Sequence, residues 1–108
     1  MATMNPEDRM IAMELQSLCE HLTPILDCRI YGSRARGDAS PESDLDMYLV
    51  VPVLTRTLRR ALDDVAWQIG FGHDRVVALL VVTPDDLSTG FVGANPLIKV
   101  IEREGVAI

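Results

Sequence analysis

Apolar residues in this chain recur first at intervals of three and four and then in short unbroken runs, and each change of period marks a change of element. Ile11, Leu15, Leu18 and Leu22 stand at helical spacing behind Asn5-Pro6-Glu7-Asp8. Asn5 is placed to cap, Pro6 suits the first helical position, and the two acids lie at the positive end of the helix dipole. The spacing predicts a first amphipathic helix of about four turns, closed by Pro24. Leu26 to Tyr31 then reads as a strand, and Arg34-Ala35-Arg36 as a helical piece cut off by Gly37. A polar loop from Asp38 to Ser43 leads to a second strand, Leu45 to Val51, stopped at Pro52.

Leu54, Leu58, Leu62, Val65 and Ile69 form the next helical stripe, capped by Thr55 or Thr57 and ended at Gly70, with Gly70-Phe71-Gly72 turning the chain. Val76 to Val82 is apolar throughout and is expected to be a central strand buried on both faces. Thr83-Pro84-Asp85-Asp86 starts another helix, and Asn95-Pro96 starts a last one through Leu97, Val100 and Ile101 to Glu104, with Gly105 behind it. The order α-β-β-α-β-α-α predicts an α+β fold: a small mixed β-sheet with helices packed mainly on one face.

One stretch interrupts this plain scheme with chemistry. The first strand ends in Gly32-Ser33, ten residues intervene, and Asp44-Leu45-Asp46 opens the second strand. Residues i and i+2 of a strand share a face, so Asp44 and Asp46 project together while Leu45, Met47 and Leu49 point into a core. Two carboxylates about 6.5 Å apart repel by roughly 2.5 kcal/mol at an effective dielectric near 20, which a divalent cation between them reverses. Oxygen-only ligands select a hard ion, Mg²⁺, that shares its remaining positions with water and substrate phosphates. Gly32 lets backbone approach a phosphate, and Ser33 offers a hydroxyl and a backbone N–H at a helix start. The bland alternative is an ordinary turn beside an edge-strand solubility device. Chance alone produces such a pattern in about one chain in a thousand of this length, so the alternative is the weaker one.

Composition narrows the partners. The chain has 108 residues, 48% of them hydrophobic, so residues 1–108 are expected to form a single domain with a real core. A net charge of −6 argues against a surface that grips duplex nucleic acid. Cys19 and Cys28 lack metal-ligand spacing and read as reduced thiols. No apolar run is long enough to span a membrane, and no targeting segment is visible, so a cytoplasmic protein without a membrane partner is expected. His21 fits the C-terminal end of the first helix and His73 a surface turn. Trp67 lies off its helical stripe, where covering a core edge is the default and stacking on a base the alternative. Arg56, Arg59 and Arg60 make a solvated face or a landing for RNA or a partner helix. Val100, Ile101, Val106 and Ile108 fit the core, with contact to another copy in a homo-oligomer left open.

Gly32-Ser33-Arg34-Ala35-Arg36-Gly37 with Ser43-Asp44-Leu45-Asp46 resembles the signature of the minimal nucleotidyltransferases of the DNA polymerase β superfamily, of the antitoxin type. A softer likeness extends through Thr83-Pro84-Asp85-Asp86-Leu87 to Glu104-Gly105-Val106. The resemblance implies a polymerase β-like nucleotidyltransferase fold and an enzyme that transfers AMP from ATP to a hydroxyl of a partner protein. The partner it implies is a HEPN-type RNase toxin. It assigns Asp44 and Asp46 to catalysis and to Mg²⁺, and Gly32, Ser33 and Arg36 to the nucleoside triphosphate. Arg34 and Arg36 either neutralise phosphate or brace the loop onto the two acids, against the plainer role of pairing with nearby carboxylates. The family pattern also supplies a third carboxylate from the third strand, and here that position is Ala78. Asp74 lies four residues earlier, about 13 Å along an extended strand, too far to stand in unless the register differs. A second reading follows: a member with little or no catalysis that neutralises its partner by binding it.

Overall fold

Asn5 caps as its position implies, its side-chain oxygen accepting a hydrogen bond from the Glu7 backbone N–H at 2.8 Å, and helix α1 runs over Pro6–Glu20. The structure, a computed structural model, describes residues 4–37 and 43–108; of the loop expected over 38–43, residues 38–42 lie outside the described residues. The buried stripe of α1 is Asp8, Ile11, Ala12, Leu15 and Cys19. Leu18 and Leu22, expected on that stripe, are exposed, because the helix ends before Leu22 and its inner face passes through Cys19 instead. Strand β1 spans Asp27–Tyr31, a single turn α2 covers Ser33–Arg36, and strand β2 covers Leu45–Val50.

Thr55 caps helix α3, accepting from the Leu58 N–H at 3.1 Å, and the helix passes through Gly70 to finish at Gly72 (Arg56–Gly72). The turn that follows is closed by the Arg75 N–H on the Gly70 carbonyl at 2.7 Å, with Asp74 at φ +55°. Strand β3 (Val77–Val82) leads into α4 (Pro84–Ser88) through a reciprocal cap, Asp86 N–H to Thr83 Oγ1 and Thr83 N–H to Asp86 Oδ2, both 3.1 Å. Two elements have no counterpart in the hydrophobic pattern: a short helix α5 (Gly90–Ala94) and, beyond α6 (Pro96–Glu104), a two-residue strand β4 (Val106–Ala107). Both are too short to show a period.

Among the described residues the sheet runs β3-β2-β1-β4, with β1 antiparallel to β2 and β4, and β2 parallel to β3. The third strand is therefore an edge strand and not a central one, and its first four residues are only half-buried. Its unbroken apolar run has another cause. Val77, Leu79 and Val81 pack under the long helices while Leu80 and Val82 join a second cluster on the opposite face. Facial burial makes a strand apolar throughout; its lateral place in the sheet does not show in the pattern. Arg59 protects part of this edge, donating to the Leu79 carbonyl at 3.2 Å while paired with Asp63.

The main core lies between the sheet and the two long helices, α1 and α3, with Leu15, Ile30, Leu45, Met47, Leu49 and Leu62 at its centre. A smaller cluster on the other face sets Tyr48, Val50 and Val82 against Ile98 and Ile101 of α6. Val106 and Ile108 are partly buried, and the Ile108 N–H extends the pairing with β1 through the Cys28 carbonyl at 3.0 Å.

Candidate active site

The two central strands bring the Gly-Ser bend to Asp46. In the β1–β2 ladder Tyr31 is the partner of Asp46, so the chain leaves β1 at the position where Asp46 projects. Gly32 then adopts φ +75° and ψ −156°, a region open in practice to glycine alone. A Cβ built on Gly32 meets Asp46 Oδ2 at 2.8 Å. The carboxylate of Asp46 thus rests against the bare backbone of the bend, in space that any other residue would fill. Gly32 and Gly37 bracket α2: the Gly32 carbonyl accepts from Ala35 and Arg36, and Gly37, in the left-handed region, returns its N–H to Ser33.

Leu45, Met47 and Leu49 are fully buried on one face of β2, which leaves Asp46 half-buried on the other and Asp44 exposed at the strand's start. Burial raises the Asp46 pKa, and the charge of Asp44 raises it further. The Tyr31 hydroxyl is pushed up too, by burial and then by Asp46. No described residue donates a hydrogen bond or an ion pair to the Asp46 carboxylate. A half-buried acid held beside a second acid without a counterion fits a cation ligand. Among the described residues no group of three or more His, Cys, Asp or Glu is placed to hold a metal alone. Two carboxylates with the other positions left to water and phosphate oxygens is the donor set Mg²⁺ uses with nucleotides. The parallel ladder pairs Asp46 directly with Ala78, so the neighbouring strand offers a methyl group where a third carboxylate is expected. Asp74 is exposed in the α3–β3 turn.

The two arginines of α2 part company. Arg36 is exposed at the end of the turn, whereas Arg34 is 7% exposed and points inward. Its Nη2 and Nε donate to the Ser43 carbonyl at 2.9 and 3.3 Å, and its Nη1 to Asp8 Oδ2 at 3.4 Å. Arg75 Nη2 holds the other oxygen of Asp8 at 2.6 Å. Asp8, placed by sequence reasoning at the helix dipole, is 1% exposed. The signal was available: Asp8 precedes Ile11, Ala12 and Leu15 at the spacing of the buried stripe, so a charge there needs a buried partner.

Other singled-out residues lie apart from the acids. His73 caps the end of α3 and meets Glu14 at 3.1 Å. Trp67 does not cover a core edge: it is 68% exposed and stacks on Phe71, ring centroids 5.2 Å apart and planes 11° apart. Both border a groove of about 640 Å³ lined also by Ser43, Ala66, Val76 and Val77, on the face of α1 and α3 and opposite to the one Asp46 occupies. Cys19 and Cys28 are free and buried. Among the described residues no helix is long and apolar enough to cross a membrane.

Comparison with known proteins bears on the fold and the family. A solved structure described as the crystal structure of a toxin-antitoxin with AMP-PNP aligns with a TM-score of 0.61 over 89% of this chain and 70% of that one, at 17% identity, which shows a shared fold. No curated protein sequence matches the chain. The family described as the nucleotidyltransferase domain matches residues 12–107, a span that contains the Gly32-Ser33 bend, both acids and the four strands seen among the described residues. The chain belongs to the nucleotidyltransferase domain family.

Proposed function

We propose that this protein is a Mg²⁺-dependent nucleotidyltransferase that moves AMP from ATP to a hydroxyl of a partner protein, and that the partner is a HEPN-type RNase toxin. The observation that carries the catalytic reading is the Asp46 carboxylate, half-buried against Gly32, beside Asp44, and unneutralised by any described residue. The partner reading draws on the signature's resemblance and on the toxin-antitoxin fold neighbour.

Asp44 and Asp46 hold Mg²⁺. Once bound, the cation neutralises charge on the attacking and leaving oxygens. Gly32 admits phosphate oxygens close to the backbone, Ser33 orients them through its hydroxyl and N–H, and Arg36 adds positive charge on the same loop. The acceptor oxygen bonds to the α-phosphorus as its bond to the pyrophosphate oxygen breaks, and the hydroxyl proton passes to water. Incubation of the protein with partner, Mg²⁺ and ATP labelled at the α-phosphate is expected to label the partner, while γ-labelled ATP leaves it unlabelled. Transfer that survives the Asp44→Asn, Asp46→Asn double variant contradicts the assignment.

One observation favours a second reading. With Ala78 as the register partner of Asp46, the strand position that would tighten metal placement and take the acceptor's proton is empty of acid. A protein of this kind neutralises its partner by stoichiometric binding. The two readings separate in the labelling experiment, since only the first leaves AMP on the partner.

A further inference from the structure

Among the described residues only two charged side chains are buried, Asp8 and Arg34, and they belong to one network. Asp8 on α1 bridges Arg34 on α2 and Arg75 in the turn before β3; Arg34 in turn grips the Ser43 carbonyl just ahead of β2. Four segments of the chain meet in this one cluster. Its members have positions in the sequence that matter: Arg34 directly follows Ser33, and Ser43 directly precedes Asp44. The Arg34 guanidinium is planar, and three of its N–H directions are committed to Ser43 and Asp8. It therefore acts as a rigid strut from the Gly-Ser bend to the residue adjoining the first acid.

Stability alone is a poor account of such a cluster, because apolar side chains of similar volume commonly serve a core as well or better than buried ions. What the ion cluster supplies is direction. We propose that Arg34, held by Asp8, is the positioning residue that fixes the place of Asp44 relative to Ser33, while Arg75 pairs with the other oxygen of Asp8 and contributes stability alone. This rests on the reading of Gly32, Ser33, Asp44 and Asp46 as the Mg²⁺-nucleotide site. Arg34 takes no phosphate; it acts through the Ser43 carbonyl.

The test compares Arg34→Gln and Arg34→Lys with Arg75→Gln in the full chain, reading thermal midpoint, the affinity for Mg²⁺ with AMP-PNP by calorimetry, and amide exchange at Ser33 and Asp44. Arg34→Gln and Arg75→Gln both lower the midpoint. Arg34→Gln weakens nucleotide binding about tenfold or more and speeds exchange at both amides, while Arg75→Gln changes the affinity by less than about threefold. Arg34→Lys, which keeps the charge and loses the fork, falls between, and it carries the test if Arg34→Gln fails to fold. Equal losses in Arg34→Gln and Arg75→Gln, or wild-type affinity in Arg34→Gln and Arg34→Lys, make the network merely structural and overturn the proposal. Wild-type protein that binds no Mg²⁺ and AMP-PNP overturns the site reading beneath it instead.

Discussion

Replacing Asp46 by Asn removes a charge that no described residue neutralises; the structure sets the sign of the effect, and strand spacing with Coulomb's law its rough size. Residues two apart on an extended strand lie about 6.5 Å from each other, so the Asp44–Asp46 repulsion is roughly 2.5 kcal/mol at an effective dielectric near 20. Asp44 is exposed, and water screens the pair. About 1 kcal/mol survives, with the partial burial of Asp46 acting in the same direction. In EDTA at neutral pH, Asp46→Asn is therefore expected to be the more stable protein, melting roughly 4 °C above wild type by circular dichroism. The pH dependence follows from the raised Asp46 pKa. Native Asp46 keeps its proton at pH values where the unfolded chain has lost it. Wild-type stability thus falls as pH climbs from the ordinary Asp value of about 3.9 through the raised folded value, and is level above it. Asp46→Asn lacks that decline. Mg²⁺ with AMP-PNP reverses the ranking, raising the wild-type midpoint and leaving the variant's unchanged. A variant that melts below wild type in EDTA refutes the reasoning, because the carboxylate then has a structural partner.

Gly32→Ala places a Cβ on Asp46 Oδ2 in a backbone region closed to alanine, and urea denaturation is expected to show a loss of about 1–3 kcal/mol; an unchanged midpoint contradicts it. Ala78→Asp sets a third carboxylate beside Asp46, and initial rates of AMP transfer are expected to rise on the order of tenfold if metal placement limits the reaction; an unchanged rate argues against that limit. Burial pushes the Cys19 thiol up to about 11 and, with the neighbouring Cys19 charge, the Cys28 thiol up to about 12. Neither should react with a disulfide reagent at pH 8 until urea is added, and immediate labelling of the native protein counts against their packing. Trp67 is the only tryptophan and is exposed on the face away from Asp46, so its emission should be that of a hydrated indole and should not shift with Mg²⁺ and AMP-PNP; a shift places a base on Trp67.

The elements that carry the site were legible in the sequence because each depends on local chemistry. Asn5, Thr55 and Thr83 cap where their positions demand it, and the Asp-Leu-Asp alternation reports its own two faces. Counting back from Thr83 leads to Ala78, which the parallel ladder sets beside Asp46. The lateral order of the strands was not legible: Val77–Val82 is apolar because both its faces are covered, whether at the edge or the centre. Trp67 was misplaced for a related reason. Its neighbour on the helix surface, Phe71, forms with it an exposed stacked pair, and helical spacing alone does not say that an aromatic off the stripe stays in solvent. The Asp8, Arg34 and Arg75 cluster joins residues 67 positions apart, a distance over which no periodicity carries information.

In the proposed site, Asp44 and Asp46 face the Gly32-Ser33 bend across a shared cation and triphosphate. Crystals grown with Mg²⁺ and AMP-PNP are expected to show a cation touching both carboxylates, with phosphate oxygens against the Gly32 and Ser33 backbone. Nucleotide bound elsewhere, for instance over Trp67, with both acids bare of metal, contradicts it.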